Sequence, residues 1–234
     1  MERVSAPLAG LEHLIFAKSQ PLDNLRPQIR VTLWRAKRDG MFDWPLEEVI
    51  NTFEAQKRGA PVAYLTGFGY GKSRLGVTQE FFIFTELLKS HRNGMDWIQD
   101  KSNDIEAFIR IAFRLLKELH DKDLTHMDYW ASNVMVSREA DVSHKAIDLE
   151  NCFLTSSRHH TSEVLGFQFG FFYRREIYRF ITEARYDQLV DEELANSYSA
   201  DRGRFDSIYL LAKHQIISRR ARREVFLNGT VVTG

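Results

Sequence analysis

His126, Asp128 and Asn133 stand in the spacing H-x-D-x-x-x-x-N, inside the run His-Met-Asp-Tyr-Trp-Ala-Ser-Asn-Val-Met-Val that ends at Val136. An aspartate at the tip of such a loop accepts a hydroxyl proton, and an asparagine five residues on folds back to offer its amide oxygen to a metal ion. Beyond Asn133 the stretch Lys145-Ala-Ile-Asp-Leu-Glu150 is a short apolar strand ending in an acid. Asp148 then stands where a second metal ligand belongs. The chemistry this pattern supports is phosphoryl transfer to an alcohol, with Asp128 as base, His126 in the same catalytic loop, and Asn133 and Asp148 converging on magnesium.

A histidine-x-aspartate pair alone is a frequent accident, and a surface turn with a capping aspartate is its ordinary explanation. Context raises the functional reading. Ile105 to Leu119 carries apolar residues at helical spacing (Ile105, Phe108, Ile109, Ala112, Phe113, Leu115, Leu116, Leu119), which predicts a core helix beneath the loop. Val134-Met135-Val136 predicts a strand after the loop, and the strand ending in Asp148 follows at hairpin distance. The aromatic run Phe167, Phe169, Phe171, Phe172, Tyr173, with Ile177, Phe180 and Ile181, reads as the core of a larger helical lobe. Ile208 to Val225 predicts one last helix, with Arg219, Arg220, Arg222 and Arg223 at its end complementing the helix dipole; binding of an anionic substrate or lipid is the rarer use of such a run.

In the first half, Leu11 to Lys18 predicts a strand delivering Lys18, and residues 19 to 30 a loop containing Pro21 and Pro27. Arg30 to Arg38 reads as strand or helix. Asp43-Trp44-Pro45 predicts a helix start capped by Asp43, with a stripe of Val49, Ile50 and Phe53 and a stop at Gly59 and Pro61. Val62 to Phe68 and Gln79 to Leu87 predict two strands. Between them Gly67-Phe-Gly-Tyr-Gly-Lys72 reads as a hairpin turn needing positive φ, since a phosphate-cradling loop would require a helix right after the lysine. Phe81 to Leu87 predicts a central strand running into a hinge, where backbone at Glu86 and Leu87 would hold an adenine edge. Residues 90 to 104 read as polar linker with a short helix about Trp97.

The 234 residues have no net formal charge, 44% hydrophobic and 12% aromatic content, which gives ample core and no electrostatic footprint for nucleic acid. Cys152 is the only cysteine, so the chain closes no internal disulfide. No apolar run reaches the length of a membrane span, and no signal-peptide pattern opens the chain. His159-His160 lacks the spaced partners of a zinc site.

With these residues in view, roughly residues 12 to 152 resemble the lipopolysaccharide kinases of the Kdo/WaaP and InaA type, small relatives of protein kinases. The likeness lies in Phe16-Ala-Lys18, Glu48 and its helix to Gly59-Ala-Pro61, Phe82-Ile-Phe-Thr-Glu86-Leu87, His126-Met-Asp128 with Asn133, and Ile147-Asp148-Leu-Glu150. The resemblance implies an α+β, bilobal protein-kinase-like fold, with residues 1–87 a small lobe and 88–234 a mostly helical large lobe. It implies ATP and Mg2+ as cofactors, Lys18 on the α and β phosphates, and Glu48 holding Lys18, with Lys37 a less well-spaced substitute for the lysine. The implied activity is phosphorylation of a sugar hydroxyl of the lipopolysaccharide core by a cytoplasmic protein peripheral to the inner membrane. Two departures stand out. About ten residues precede Leu11, too few for two strands and a glycine-rich loop, so the small lobe is expected to be reduced. Tyr129 and Trp130 bring bulky rings where many family members have Leu followed by a small or polar residue, which would narrow an acceptor site. The alternatives are a pseudokinase that binds a partner or regulates envelope stress, and a phosphotransferase of the aminoglycoside or choline type. Nucleotide binding separates the first from an enzyme, and the choice between core oligosaccharide and soluble alcohols separates the second.

Overall fold

The computed structural model describes residues 3–6, 15–38, 40–157 and 159–231. It is a mixed helix and strand protein whose chain divides into two compact units, one running to Lys89 and including Asp148–Asn151, the other comprising Ser90–Ile147 and the chain from Cys152 onward.

The first unit is built on an antiparallel sheet of β1 (Arg3–Ala6), β2 (Ile15–Pro21), β3 (Leu65–Lys72) and β4 (Thr78–Glu86), in the order β1-β2-β4-β3. Helices α1 (Leu25–Thr32) and α2 (Trp44–Lys57) lie between β2 and β3 in the chain. β4 is central, and its period of two sends Phe81 and Ile83 into a core with Leu22, Val31, Leu46 and Val49. The same alternation on β2 buries Lys18 and Gln20 together, two residues apart and therefore on one face.

Several expectations for this unit are corrected. A strand does precede the lysine strand, with Arg3 paired to Lys18; residues 7–14, where the start of the expected Leu11–Lys18 strand falls, lie outside the described residues. β2 continues through Ser19 and Gln20, and a helix with Pro27 in its first turn occupies much of the expected loop, a position that needs no amide hydrogen. Gly67, Gly69 and Gly71 are not turn glycines. They sit within β3 opposite Phe84, Phe82 and Glu80, and Cβ atoms at Gly67 and Gly69 would only reach ordinary contact with the Phe84 ring. The turn is Ser73 to Val77, where Gly76 has φ +77°. On α2, Phe53 is exposed while Glu48, Asn51 and Thr52 are buried. Asp43 does precede α2, but its carboxylate makes no capping bond and instead takes both Nε and Nη2 of Arg30, at 2.7 and 2.8 Å.

The second unit begins with β5 (His91–Asn93), α3 (Gly94–Gln99) and α4 (Ile105–His120), followed by the short strands β6 (Thr125–His126), β7 (Val134–Ser137), β8 (Lys145–Ala146) and β9 (Cys152–Phe153). β5, β7 and β8 form one ribbon and β6 pairs with β9; the segment expected as linker therefore supplies a strand. α4 starts at Asp104, whose side chain accepts from the Glu106 amide, and buries its apolar stripe from Phe108 to Leu119. α5 (Thr161–Arg174), α6 (Glu183–Ser197), α7 (Arg202–His214) and α8 (Arg219–Asn228) complete the unit.

α5 is buried from Glu163 to Tyr173, which the aromatic run anticipates. It crosses α7 closely enough that Cβ atoms at Gly166 and Gly170 would meet the Phe205 and Tyr209 carbonyl oxygens at 2.3 and 2.5 Å. The single last helix expected from Ile208 to Val225 is two helices. Ser218 interrupts it by capping α8, accepting from the Ala221 amide at 3.2 Å. Arg219, Arg220, Arg222 and Arg223 consequently occupy the N-terminal half of a helix, where the dipole disfavours cations, rather than its C-terminal end.

Candidate active site

In the first unit, Lys18 Nζ lies 3.0 and 2.8 Å from the two Glu48 carboxylate oxygens and 2.8 Å from Asp148 Oδ1. Gln20, on the same face of β2, donates from Nε2 to Glu48 Oε2 at 2.6 Å. Lys37 instead approaches Asp43, at 3.8 Å, so Lys18 is the lysine that pairs with the helix glutamate. The pair is buried, its side chains only 10% and 8% exposed.

Glu150 adds a third carboxylate. Ligand oxygens of Glu48, Asp148 and Glu150 all lie within 4.8 Å of one another. Burial is the main force raising the Glu48 carboxyl to about 7; Lys18 opposes it, and Asp148 and Glu150 add repulsion. Burial pulls the Lys18 ammonium down, but Glu48 and Asp148 together hold it above its ordinary value. The cluster thus gathers three carboxylates beside the Lys18 ammonium. An all-oxygen donor set of that kind fits a hard divalent cation such as magnesium. Asp148 has φ +64°, and Asn51 of α2 donates to the Leu149 carbonyl at 2.8 Å, fixing the turn of Leu149–Asn151 in the first unit.

In the second unit the loop after β6 is pinned by its own backbone. His126 is fully buried. Its Nδ1 accepts from the Asp128 amide at 3.2 Å, which leaves Nε2 as the protonated nitrogen, donating to the Ile147 carbonyl at 3.2 Å. Gln168 of α5 donates to the His126 carbonyl at 3.1 Å. Asn133 Nδ2 donates to the Asp128 carbonyl at 2.9 Å, and the Asn133 carbonyl accepts from Ile147 N at 3.1 Å. The amide of Asn133 is thereby oriented with Oδ1 directed away from this bond. Tyr129 is buried core, its hydroxyl donating to the Ala112 carbonyl at 2.7 Å and its ring stacked on Phe172. It does not narrow a site, contrary to expectation; Trp130 is partly buried against the α5 and α8 cluster.

Asp128 is held on one oxygen only. Arg222 Nη1 of α8 sits 2.5 Å from Oδ1, with both side chains about one-tenth exposed, while Oδ2 has no protein donor among the described residues. Arg222 was legible only as part of an arginine run, and its partner lies far away in sequence. Gln20 and Glu150 could have been found, the first from its period-two relation to Lys18 and the second from the acid two residues past Asp148. Glu86, at the end of β4, accepts from the Tyr64 amide at 3.0 Å through its side chain and donates its own amide to the Tyr64 carbonyl. The Leu87 carbonyl accepts from Lys89 N at 2.9 Å.

The model of the lipopolysaccharide kinase (Kdo/WaaP) family matches residues 46–182, more than half of the chain. The chain belongs to this family. The Kdo/WaaP match takes in Glu48, Glu86, Leu87, His126, Asp128, Asn133 and Asp148, and leaves Lys18 and Arg222 outside it. Among solved structures, the chain is similar to one described as WaaP in complex with acyl carrier protein, at 16% identity over 97% of this chain and 78% of that one, with a TM-score of 0.38. No curated protein matches the chain. Among the described residues no helix is long and apolar enough to cross a membrane.

Proposed function

We propose that this Kdo/WaaP family member is a Mg-ATP-dependent kinase, two-lobed like protein kinases, that phosphorylates a sugar hydroxyl of the lipopolysaccharide core at the cytoplasmic face of the inner membrane. The observation that carries the reading is Lys18 bonded to Glu48 and Asp148, residues 30 and 130 positions away, each the type that phosphoryl transfer requires of it.

In this reading Asp128 Oδ2 takes the proton of the acceptor hydroxyl, while the Arg222 contact at Oδ1 keeps the carboxylate oriented. His126 is a positioning residue, because both of its ring nitrogens are engaged by loop backbone. Asn133 Oδ1 and Asp148 would hold magnesium, with Glu150 beside Asp148. Lys18, held by Glu48, binds the α and β phosphates, and backbone at Glu86 and Leu87 receives the adenine. Bound Mg-ATP supplies the phosphoryl group and neutralises charge as it transfers.

The test is phosphate transfer from ATP to core oligosaccharide. Asp128→Asn is expected to lower turnover by about 10² to 10⁴ with nucleotide affinity retained, and wild-type turnover in that variant would remove Asp128 as the base. One observation favours a second reading, a silent family member that binds a partner and neither holds nucleotide nor transfers phosphate: Asp128 and Asp148 are both ion-paired with protein cations. Calorimetry with Mg-ATP separates the two, since a silent fold of this kind gives no heat of nucleotide binding.

A further inference from the structure

Arg222 does not act alone. Its guanidinium carbon lies 4.4 Å from the centre of the Phe171 ring, and that of Arg175, at the end of α5, lies 5.8 Å from the same ring and 4.3 Å from the centre of Trp130. Two guanidinium groups thus flank one aromatic ring beside Asp128. Arg175 is exposed and has no carboxylate partner among the described residues, so Asp128 is the only acid set against the pair. Burial lowers the Arg222 pKa; Asp128 opposes this, and Arg175 and Arg219 add to it by repulsion. Like charges held near one another, with one acid on Arg222, complement a further anion.

The cations are also rigid. α8 is docked through Ala221, Val225 and Phe226, in one cluster with Met127, the residue before Asp128. Arg222 Nε donates to the Ile217 carbonyl at 3.3 Å and Nη1 to Asp128, which leaves three of its five N–H donors without a protein acceptor among the described residues. Arg175 lies on Trp130, and a stacked guanidinium loses little further freedom when it binds an oxyanion.

We propose that Arg175 and Arg222 form a subsite for a phosphate or carboxylate carried by the acceptor sugar, placing the receiving hydroxyl at Asp128 Oδ2. The subsite rests on the acceptor-side role given above to Asp128, and it adds a substrate class: an anionic sugar is chosen over its neutral counterpart. Arg222 bridges the base and the acceptor's charge, so recognition and alignment of the hydroxyl are one event.

The test uses the whole chain and three probes with one ring, D-glucose, D-glucose 6-phosphate and D-glucuronate, with affinities measured by calorimetry. ATP is added in a parallel series to occupy any nucleotide-phosphate site. A charged probe is expected to bind about 10- to 100-fold more tightly than glucose, the range of one or two charge-assisted hydrogen bonds, and the preference should shrink with added salt. Preference for the phosphate alone, or the carboxylate alone, assigns the source of the charge. Arg175→Met, at an exposed position, should cut the preference about tenfold without changing the melting temperature. Arg222→Lys keeps a charge opposite Asp128 but loses the planar fork, and should reduce the preference in a protein still folded by circular dichroism. Equal affinity for glucose and both charged probes overturns the subsite, as does a preference that survives Arg175→Met. A preference that depends on Arg175 in a protein giving no heat with Mg-ATP upholds the subsite and rejects the kinase reading alone.

Discussion

Lys18 and Glu48 sit in a setting where removing either partner strands the other. An exposed ion pair contributes about 0–1 kcal/mol to folding, but breaking a buried one leaves an uncompensated charge and costs on the order of 3–5 kcal/mol. Lys18→Met is therefore expected to lower the urea unfolding free energy by roughly that amount, and adding Glu48→Gln should recover part of the loss; a change below about 1 kcal/mol in the single variant would show that Glu48 finds other relief. At this scale the sequence was informative where spacing encodes contact. The loop residues Asp128 and Asn133 are five apart and bonded through the Asp128 carbonyl, and the motif itself carries that geometry. Burial of the Lys18 pair could not be read, because nothing local distinguishes a glutamate on the inner face of α2 from one on its outer face when apolar Phe53 turns outward. Arg222 is 94 residues from Asp128, beyond the reach of any periodicity.

Among the helices, α5 and α7 approach through glycine. A methyl group at Gly166 would fall 2.3 Å from a carbonyl oxygen of the partner helix, so Gly166→Ala must push the helices apart, at about 1–3 kcal/mol or more; an unchanged denaturation midpoint would show that the crossing yields freely. His120, at the end of α4, gives a pH dependence. Burial lowers its imidazole from 6.5 to about 4; the nearby Gln168 side chain and the Asp121 charge oppose this, and Lys117 adds to it. Tyr198, whose ring meets His120 edge-on at 5.8 Å, has its own hydroxyl held neutral by burial. The folded state then binds fewer protons than the unfolded state between about pH 4 and 6.5, so this contribution is complete above about pH 6.5 and is lost as pH falls toward 4. The full span is worth on the order of 3 kcal/mol. His120→Phe is expected to flatten stability over that window, and an unaltered slope would place the titrating group elsewhere. α4 was legible because its stripe repeats at helical spacing. The break before α8 was not, since Ile216 and Ile217 continue an apolar pattern and only the capping hydroxyl of Ser218 ends it; α6, with a weak stripe and many acids, gave no signal at all.

For the molecule as a whole, the reading as a kinase predicts that Mg-ATP at a hundred times its dissociation constant adds about 2.7 kcal/mol of stability, seen as a rise in melting temperature that excess EDTA reverses; no rise would favour the silent alternative. The mixed class and the helical second half were legible from pattern. No pattern signals that Asp148–Asn151 belong with the first unit, for this membership depends on Lys18 and Asn51 reaching residues made much later. That has a consequence during synthesis. Ribosomes add about 5–20 residues per second, so the stretch from Lys89 to Asp148 occupies several seconds in which the strand bearing Lys18 and the helix bearing Glu48 have already emerged. Until Asp148 arrives, the first unit lacks the second of the two acids that hold Lys18 and the Leu149 carbonyl that Asn51 bonds. The nascent chain thus passes through an interval in which its earliest-made portion is complete in sequence up to Lys89 yet unfinished as a folded body, exposed to whatever chaperones attend the exit tunnel, and the last four residues needed to close it are delivered from within the other half.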